Sequence, residues 1–211
     1  MIKKFYDELP PILWTVKSYG FKVFEDGDYD LNIIGIRNVV DPKDNQFDDL
    51  MIIAYKLDGK WITEEAQITT DPGRYWLTKE NYKPCAVYYH PQQARGAYKI
   101  RKHRNSYDAL CQHKPVKFWR DGNKDEHAEY KGTIYTGIIG LNLHKSSSLP
   151  SGTEYVNRWS AGCQVFKYVS DFNRMMELAR LQIETLNYRT FTYTLIPNRE
   201  YHGTDDKPDI G

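Results

Sequence analysis

The sequence contains few cysteines, no long apolar segment and almost no net charge, and each shortage argues against a class of protein. The three cysteines, Cys85, Cys111 and Cys163, are an odd number without a repeating spacing. They argue against a disulfide framework and against a zinc site built from C-x-x-C pairs. The formal net charge of +1 implies no general attraction to nucleic acid. No segment approaches the roughly 20 apolar residues of a membrane-spanning helix. We therefore expect no metal or other cofactor, no nucleic-acid partner and no insertion into a membrane.

The beginning of the chain, MIKKFYDELPPILWTVKSYGF, also lacks the marks of a signal peptide. Two lysines follow the first two residues, but no apolar segment and no small-residue cleavage site comes after them. We expect the protein to be synthesised in the cytoplasm without a signal peptide. If the protein acts outside the cell, another factor would then have to export or release it.

Aromatic residues are abundant, with 17 Tyr and 5 Trp, and large flat side chains pack well on the pleated faces of β-sheets. Short apolar segments separated by turn residues are typical of strands. A hairpin is predicted from Leu50–Lys56, a turn at Asp58-Gly59, and Lys60–Thr69. Further strands are predicted at Asp30–Val40, Cys85–His90, Gly96–His103, Pro115–Asp121, Thr133–His144 and Arg189–Ile196.

Two segments have helical character instead. Apolar residues recur with helical spacing over residues 170–187, which predicts an amphipathic helix late in the chain with Ser170 as its N-cap. Residues 5–19 predict a shorter helix with Pro10 and Pro11 near its start.

These elements predict a mainly β protein of the α+β class. We expect a short N-terminal helical arm over residues 1–28, one domain over residues 29–200 and a polar tail over residues 201–211.

The segment HKSSSLPSGTEYVNRWSAGCQVF, residues 144–166, contains the strongest candidate for catalysis. A cysteine becomes a nucleophile when a nearby base or positive charge lowers its pKa from about 8.5, and His144 is a suitable base for Cys163. Alternation along the preceding run GIIGLNLH places His144 on the face opposite the leucines. Gly162 permits a tight turn before the cysteine, and backbone N–H groups around such a turn can form an oxyanion hole.

The same residues also fit a purely structural interpretation. A free cysteine is most often a small buried hydrophobic residue, and six histidines in the chain make some Cys–His proximity unremarkable. The spacing alone leaves both interpretations open.

The segment resembles the catalytic domain of bacterial L,D-transpeptidases. In that family a histidine is followed, some fourteen to seventeen residues later, by Ser/Thr-His-Gly-Cys. Fifteen residues separate His144 from SAGC, residues 160–163. ARGAYKI, residues 94–100, is similar to a reduced form of the family's Thr-Pro-x-Gly-x-Phe-x-Ile strand. GLNLH looks like its strand ending in histidine, and MIIAYKLDGKWITEEAQITTDPG like its opening hairpin. The resemblance covers roughly residues 32–166, and the His–Cys segment is its specific part.

This resemblance implies a β-sandwich or barrel of the L,D-transpeptidase type. It also implies a cysteine enzyme, a hydrolase or a transferase, that acts on peptide bonds in the stem peptides of peptidoglycan. Cys163 would be the nucleophile and His144 its base, with Ser160 and Gly162 in the catalytic turn. Neighbouring residues would bind the substrate: Asn142, Ala161 and Trp159.

The joint presence of WSAGCQVF and TTDPG is similar to a bacteriophage-associated branch of the family. This resemblance implies action at the bacterial cell wall, during phage lysis or penetration of the host, with phage virion proteins as partners.

The sequence departs from the family pattern at two positions. Ala161 replaces the histidine between serine and glycine, and Val165 stands where the family often has arginine or asparagine. In the family, both positions shape the pocket for the leaving and accepting groups. The departures therefore leave undecided whether water or an amine accepts the acyl group. The departures also keep open an alternative function, a non-catalytic phage structural or cell-wall-binding protein that retains the fold.

Other motifs are weaker. Asp121, Asn123 and Asp125 alternate as in a calcium loop, but Glu126 replaces the required glycine and Gly132 stands where the final glutamate belongs, so a solvated turn is expected. The basic run RKHR, residues 101–104, is expected to form a charged strand edge or to meet carboxylates of a substrate.

A papain-like hydrolase would place its cysteine before its histidine. Only His202 follows Cys163, and it lies in the polar tail. The order of His144 and Cys163 therefore argues against that class, and Cys85 and Cys111 are expected to be core residues.

Overall fold

In the computed structural model, the described residues are 1–201, and they form twelve strands and three α-helices. The strands are β1 (Ile2–Tyr6), β2 (Asn32–Arg37), β3 (Asp49–Leu57), β4 (Lys60–Thr69), β5 (Cys85–Tyr88), β6 (Gln92–His103), β7 (Tyr107–Gln112), β8 (Val116–Asp121), β9 (Tyr135–Gly137), β10 (Leu143–Lys145), β11 (Gln164–Phe166) and β12 (Phe191–Pro197). The helices are α1 (Pro11–Ser18), α2 (Arg74–Thr78) and α3 (Val169–Leu186). None of these three helices is long and apolar enough to cross a membrane. The mainly β class is confirmed, and both His202 and the tail after residue 201 lie outside the described residues.

Eight strands close into a barrel, in the order β4-β11-β10-β7-β6-β12-β2-β3, with β3 pairing back to β4. The pairs β10–β11 and β12–β2 are parallel, and the other pairs of the barrel are antiparallel. The predicted hairpin of β3 and β4 is confirmed, and its two-residue turn has positive φ at both Asp58 (50°) and Gly59 (80°). A two-residue turn of this kind matches the right-handed twist of the strands that it joins.

Apolar and aromatic side chains fill the barrel, and the apolar face of α3 belongs to the same cluster. Tyr55, Tyr98 and Tyr193 are fully buried there, so part of the aromatic content serves the core. The late helix is confirmed, but its N-cap is Tyr168, without a side-chain cap, rather than Ser170.

The first residues differ from the prediction. Residues 2–6 form β1, which pairs antiparallel with β4, and the helix begins only at Pro11. Pro10 has extended backbone angles, φ −60° and ψ 147°, because a residue that precedes proline is disfavoured in the α region. A helix over residues 5–10 is therefore wrong. α1 packs through Leu13 and Val16 on the outside of β2 and β3.

A second sheet of three strands, in the order β5-β8-β9, lies beside the barrel. The single strand predicted over residues 133–144 is divided into β9 and β10, because residues 138–142 form a loop in which Gly140 has a φ of +83°. This loop, named the 138–142 loop, crosses from the small sheet to the barrel and forms one wall of a pocket.

Candidate active site

Cys163 and His144 line the same pocket, which has a volume of about 270 Å³. Leu143 pairs with Gln164 in the parallel β10–β11 ladder, so Cys163 precedes the ladder by one residue and His144 follows Leu143. A rise of about 3.3 Å per residue and a strand spacing of about 4.8 Å put their Cα atoms about 8 Å apart. Leu143 belongs to the barrel core while His144 faces the pocket, as predicted for these two residues. The alternation predicted over the whole run is wrong, because Leu141 lies in the 138–142 loop and lines the same pocket as His144.

The imidazole of His144 is held in one orientation by its own strand. Its Nδ1 lies 2.9 Å from the main-chain oxygen of Lys145. A carbonyl oxygen only accepts, so Nδ1 carries the proton and Nε2 keeps its lone pair. Burial, together with the neighbouring His103, lowers the pKa of His144 to about 3. The group is therefore a neutral imidazole with an available basic nitrogen at neutral pH.

Cys163 is partly exposed in the pocket and is a neutral thiol in this state. Its Sγ donates to the main-chain oxygen of Gly140 at 3.3 Å. Burial raises the pKa of the thiol to about 11, and the backbone N–H of Asn142 opposes that rise. Among the described residues, no hydrogen bond joins Cys163 to His144, so the thiol proton points to the 138–142 loop.

The turn before the cysteine is fixed by Ser160 and Gly162. The buried Ser160 Oγ donates to the Cys163 carbonyl oxygen at 2.9 Å and accepts from the Gly162 N–H at 3.1 Å. Gly162 has a φ of +123°, and a Cβ at this position would overlap the carbonyl oxygen of Ala86 in β5. Both residues shape the turn, and the Gly162 N–H is occupied by Ser160 instead of pointing to a substrate.

The three residues predicted to bind substrate all line the pocket: Asn142, Ala161 and Trp159. Trp159 is 42% exposed and stands at the surface. The Asn142 side chain is engaged within the protein, because its Oδ1 accepts from the Gln112 backbone N–H at 2.9 Å. Its Nδ2 lies 3.1 Å from Nδ1 of His103. Asn142 therefore organises the wall of the pocket.

His103 is a pocket residue that the sequence analysis missed. It is 7% exposed, and its ring stacks on His144 with centroids 4.3 Å apart and planes inclined by 22°. The sequence signal was a lone histidine within the basic run RKHR at the end of a predicted strand. That run indicated a charged edge, and only the pairing of β6 with β7 and of β7 with β10 brings His103 to His144.

The charged side chains that line the pocket are cationic: Lys83, Arg104 and Arg120. Among the described residues that line it, none is acidic. Arg104 lowers the pKa of Cys163 against the effect of burial. The pocket thus favours an anionic ligand and a developing thiolate over a cation.

Metal ligands are not grouped in residues 1–201, where no set of three or more His, Cys, Asp or Glu side chains could hold an ion. In the calcium-like segment, the Asn123 amide donates to the Asp125 carboxylate at 2.7 Å, as in a closed polar turn. Cys85 and Cys111 are buried, 1% and 7% exposed, as core residues are.

A buried charged cluster, named the Arg37 cluster, comprises Arg37, Asp49, Thr70 and Asp71. Arg37 is fully buried and donates to Thr70 Oγ1 at 2.7 Å and to the Thr70 carbonyl oxygen at 2.8 Å. It also lies 3.3 Å from a carboxylate oxygen of Asp71. Asp49 accepts from the Thr70 N–H at 2.6 Å.

The Arg37 cluster is connected to the cysteine turn through the main chain. The segment TTDPG, residues 69–73, contains Thr70 and Asp71 and ends at Gly73, whose N–H donates to the Ser160 carbonyl oxygen at 2.9 Å. The cluster therefore anchors the segment on which the turn before Cys163 rests.

Comparisons of the chain with protein families, with curated proteins and with solved structures found no match. The resemblance of the His–Cys segment to L,D-transpeptidases therefore stays a prediction.

Proposed function

We propose that the protein is a cysteine enzyme of the L,D-transpeptidase type that cleaves or exchanges peptide bonds in peptidoglycan stem peptides, in the setting of bacteriophage lysis or host penetration. The observation that carries the proposal is the placement of Cys163 and His144 in one pocket, with Nδ1 of His144 bound to Lys145. This tautomer leaves Nε2 as the nitrogen that accepts a proton, as a general base requires.

In the proposed reaction, Nε2 of His144 takes the proton of the Cys163 thiol, and the sulfur attacks the carbonyl carbon of the scissile peptide bond. The C–N bond breaks, the protonated His144 returns the proton to the leaving amine, and a thioester remains on Cys163. Water or a second amine then attacks the thioester carbonyl, giving its proton to His144. The C–S bond breaks and the thiolate takes that proton back.

The cationic lining supports a substrate with carboxylates near the scissile bond. Lys83, Arg104 and Arg120 surround a pocket whose described lining has no acidic side chain. Stem peptides end in a free carboxylate, which ion pairs and charge-assisted hydrogen bonds with such side chains would hold. The same positive charge stabilises the thiolate formed on Cys163.

One observation favours the alternative of a binding module without turnover. The proton of Cys163 points to Gly140 and not to His144, and burial disfavours charge on both groups. A module would use the same pocket to bind stem peptides without passing through a thioester.

Digestion of purified sacculi distinguishes the two functions, with released D-amino acids and altered stem peptides followed by mass spectrometry. We expect release by the wild type and none by Cys163→Ala, while the matched control Cys111→Ala retains activity because Cys111 is a buried strand residue outside the pocket. No release by either the wild type or Cys163→Ala, with sacculus binding retained by both, would establish the module instead. Defined muropeptides with and without an amine acceptor then separate hydrolysis from transpeptidation.

A further inference from the structure

The side chain of Gln112, at the end of β7, forms hydrogen bonds with the backbone of the 138–142 loop. Its Oε1 accepts three consecutive backbone N–H groups, those of Ile139, Gly140 and Leu141, at 3.1, 3.0 and 3.0 Å. Three converging N–H groups form a concave donor site, of the kind that elsewhere binds an anion. Here a neutral amide oxygen fills it.

The rest of Gln112 holds the two ends of the loop. Its Nε2 donates to the carbonyl oxygens of Gly137 at 2.8 Å and Lys114 at 3.0 Å. Its backbone N–H donates to Oδ1 of Asn142 at 2.9 Å. Gln112 itself is 6% exposed, so these contacts are shielded from water, and each unmade bond would leave a polar group without a partner.

The loop held in this way is also the part of the wall that contacts the nucleophile. The Gly140 carbonyl oxygen accepts the thiol of Cys163 at 3.3 Å, and the backbone of Asn142, at the end of the same loop, lowers the pKa of that thiol. One main-chain group thus receives the proton of the thiol, while another stabilises the thiolate. The relative placement of the two decides when the sulfur is free to give its proton to His144.

We propose that Gln112 is a positioning residue for Cys163, which acts by fixing the 138–142 loop, and with it the Gly140 carbonyl oxygen, against the sulfur. The inference rests on the proposed function, in which Cys163 is the nucleophile. Without Oε1, three adjacent N–H groups lose their shared acceptor and the loop moves to find others. The Gly140 carbonyl oxygen then leaves its place at the sulfur, and the Asn142 backbone no longer lowers the pKa of the thiol.

Gln182 provides a matched control, because it is a second buried glutamine that joins separate main-chain segments. Its Oε1 accepts from the Leu31 N–H at 3.1 Å, and its Nε2 donates to the carbonyl oxygens of Tyr188 and Thr190. It is 3% exposed and lies away from the pocket of Cys163. Gln182→Met therefore removes similar bonds without touching the 138–142 loop.

The test compares Gln112→Met with Gln182→Met in the full chain. Iodoacetamide modification of Cys163 is followed as a function of pH by peptide mass spectrometry, and turnover is measured on muropeptides. We expect Gln112→Met to lower kcat by about 10²-fold, to leave KM unchanged and to move the midpoint of the alkylation profile upward. Gln182→Met keeps the wild-type kcat and profile.

A wild-type profile and kcat in Gln112→Met, or the same shift in Gln182→Met, would overturn the inference. Should Gln112→Met not fold, Gly140→Ala takes its place. That variant disturbs the loop through a φ of +83° without a steric clash, since nothing lies within 4 Å of the added Cβ, and the same upward shift is expected. The alkylation profile needs no substrate, so it tests the role of Gln112 independently of any enzymatic activity. The proposed function is tested separately, because activity that persists in Cys163→Ala would refute it.

Discussion

The pocket of Cys163 and the Arg37 cluster are both polar regions in which burial disfavours charge, yet only the cluster contains a buried group that stays charged. In the pocket burial keeps the groups neutral, raising the pKa of Cys163 to about 11 and lowering that of His144 to about 3. In the cluster the guanidinium of Arg37 stays charged: although burial disfavours its charge, Asp71 and its other neighbours raise its pKa. The difference lies in the partners, because Arg37 has carbonyl, hydroxyl and carboxylate oxygens within bonding distance.

The comparison indicates that the Arg37 cluster and the pocket of Cys163 have different roles. Arg37 has several oxygen partners and its cluster holds the TTDPG segment in place, whereas, among the described residues, the thiol and imidazole of the pocket hydrogen-bond only to main-chain oxygens. A thiolate and an imidazolium formed there are costly until a substrate supplies a complementary environment. The charge of Arg37 and its oxygen partners stabilise the Arg37 cluster, whereas packing and main-chain hydrogen bonds stabilise the pocket of Cys163.

The largest expected effect comes from removing the charge at the centre of the cluster. Arg37→Leu leaves the buried Asp49 and its neighbour Asp71 without a cation, so we expect the free energy of unfolding to fall by about 3–5 kcal/mol, measured by urea denaturation. The same change at the exposed Arg95 should alter stability by less than about 0.5 kcal/mol. Similar losses in both variants would contradict a special role for Arg37.

A second prediction concerns the shape of the turn. In Gly162→Ala, the overlap with the Ala86 carbonyl adds about 1–3 kcal/mol to the roughly 1–2 kcal/mol cost of a positive φ, for a loss of about 3 kcal/mol. Gly59→Ala shares the positive φ but has nothing within 4 Å of its Cβ, so only about 1 kcal/mol is expected. The same urea titration measures both, and equal losses would show that space at Gly162 is not limiting.

A third prediction uses one histidine from each region. Burial lowers the pKa of both His144 in the pocket and His90 beside Arg37 to about 3, against about 6.5 in the unfolded chain. Between pH 6.5 and pH 3 each histidine is therefore protonated in the unfolded chain but not in the folded one, and each contributes a loss of stability of about 1.4 kcal/mol per pH unit as the pH falls. Asp49 contributes in the opposite direction, because burial raises its pKa to about 7 and the folded protein holds this proton below that pH.

Unfolding measured at pH 7, 6 and 5 checks this dependence. His144→Gln and His90→Gln should each remove one histidine's share of the slope, and the double variant should remove both shares because the regions are separate. A slope that neither variant reduces would mean that other groups cause the acid sensitivity.

The smallest expected effect concerns the rim of the pocket. Arg104 is exposed and lowers the pKa of Cys163, so Arg104→Ala should raise the midpoint of Cys163 alkylation by about a few tenths of a pH unit. In 1 M salt, where the Debye length is about 3 Å, the difference should vanish. Arg101→Ala, a change at an exposed residue outside the pocket lining, should leave the midpoint in place at either salt concentration.

Local patterns predicted the elements that depend on local rules. The hairpin of β3 and β4 followed from alternation and from Asp58-Gly59, and α3 from its helical spacing. β11 has only three residues and follows an irregular turn, so periodicity could not reveal it. The closure of the barrel depends on pairings between distant segments, which no single stretch of sequence encodes.

The residues of the candidate site likewise fall into those that local sequence predicted and those that only the fold reveals. Cys163 and His144 were predicted from a linear motif, and the structure places them in one pocket. His103 and Gln112 were missed, because their importance arises from what the fold brings to them: an imidazole in one case and three backbone N–H groups in the other. A helix was predicted over residues 5–10, where pairing with β4 and the prolines decide otherwise.

The hydrogen bond from Cys163 to Gly140 has a further consequence for the lifetime of the protein. Peroxides and disulfides react with thiolates, and their attack on a protonated sulfur is slow. A thiol that stays protonated is therefore protected from conversion to sulfenic acid. The hydrogen bond that keeps the proton on Cys163 thus also preserves the sulfur in its reduced state.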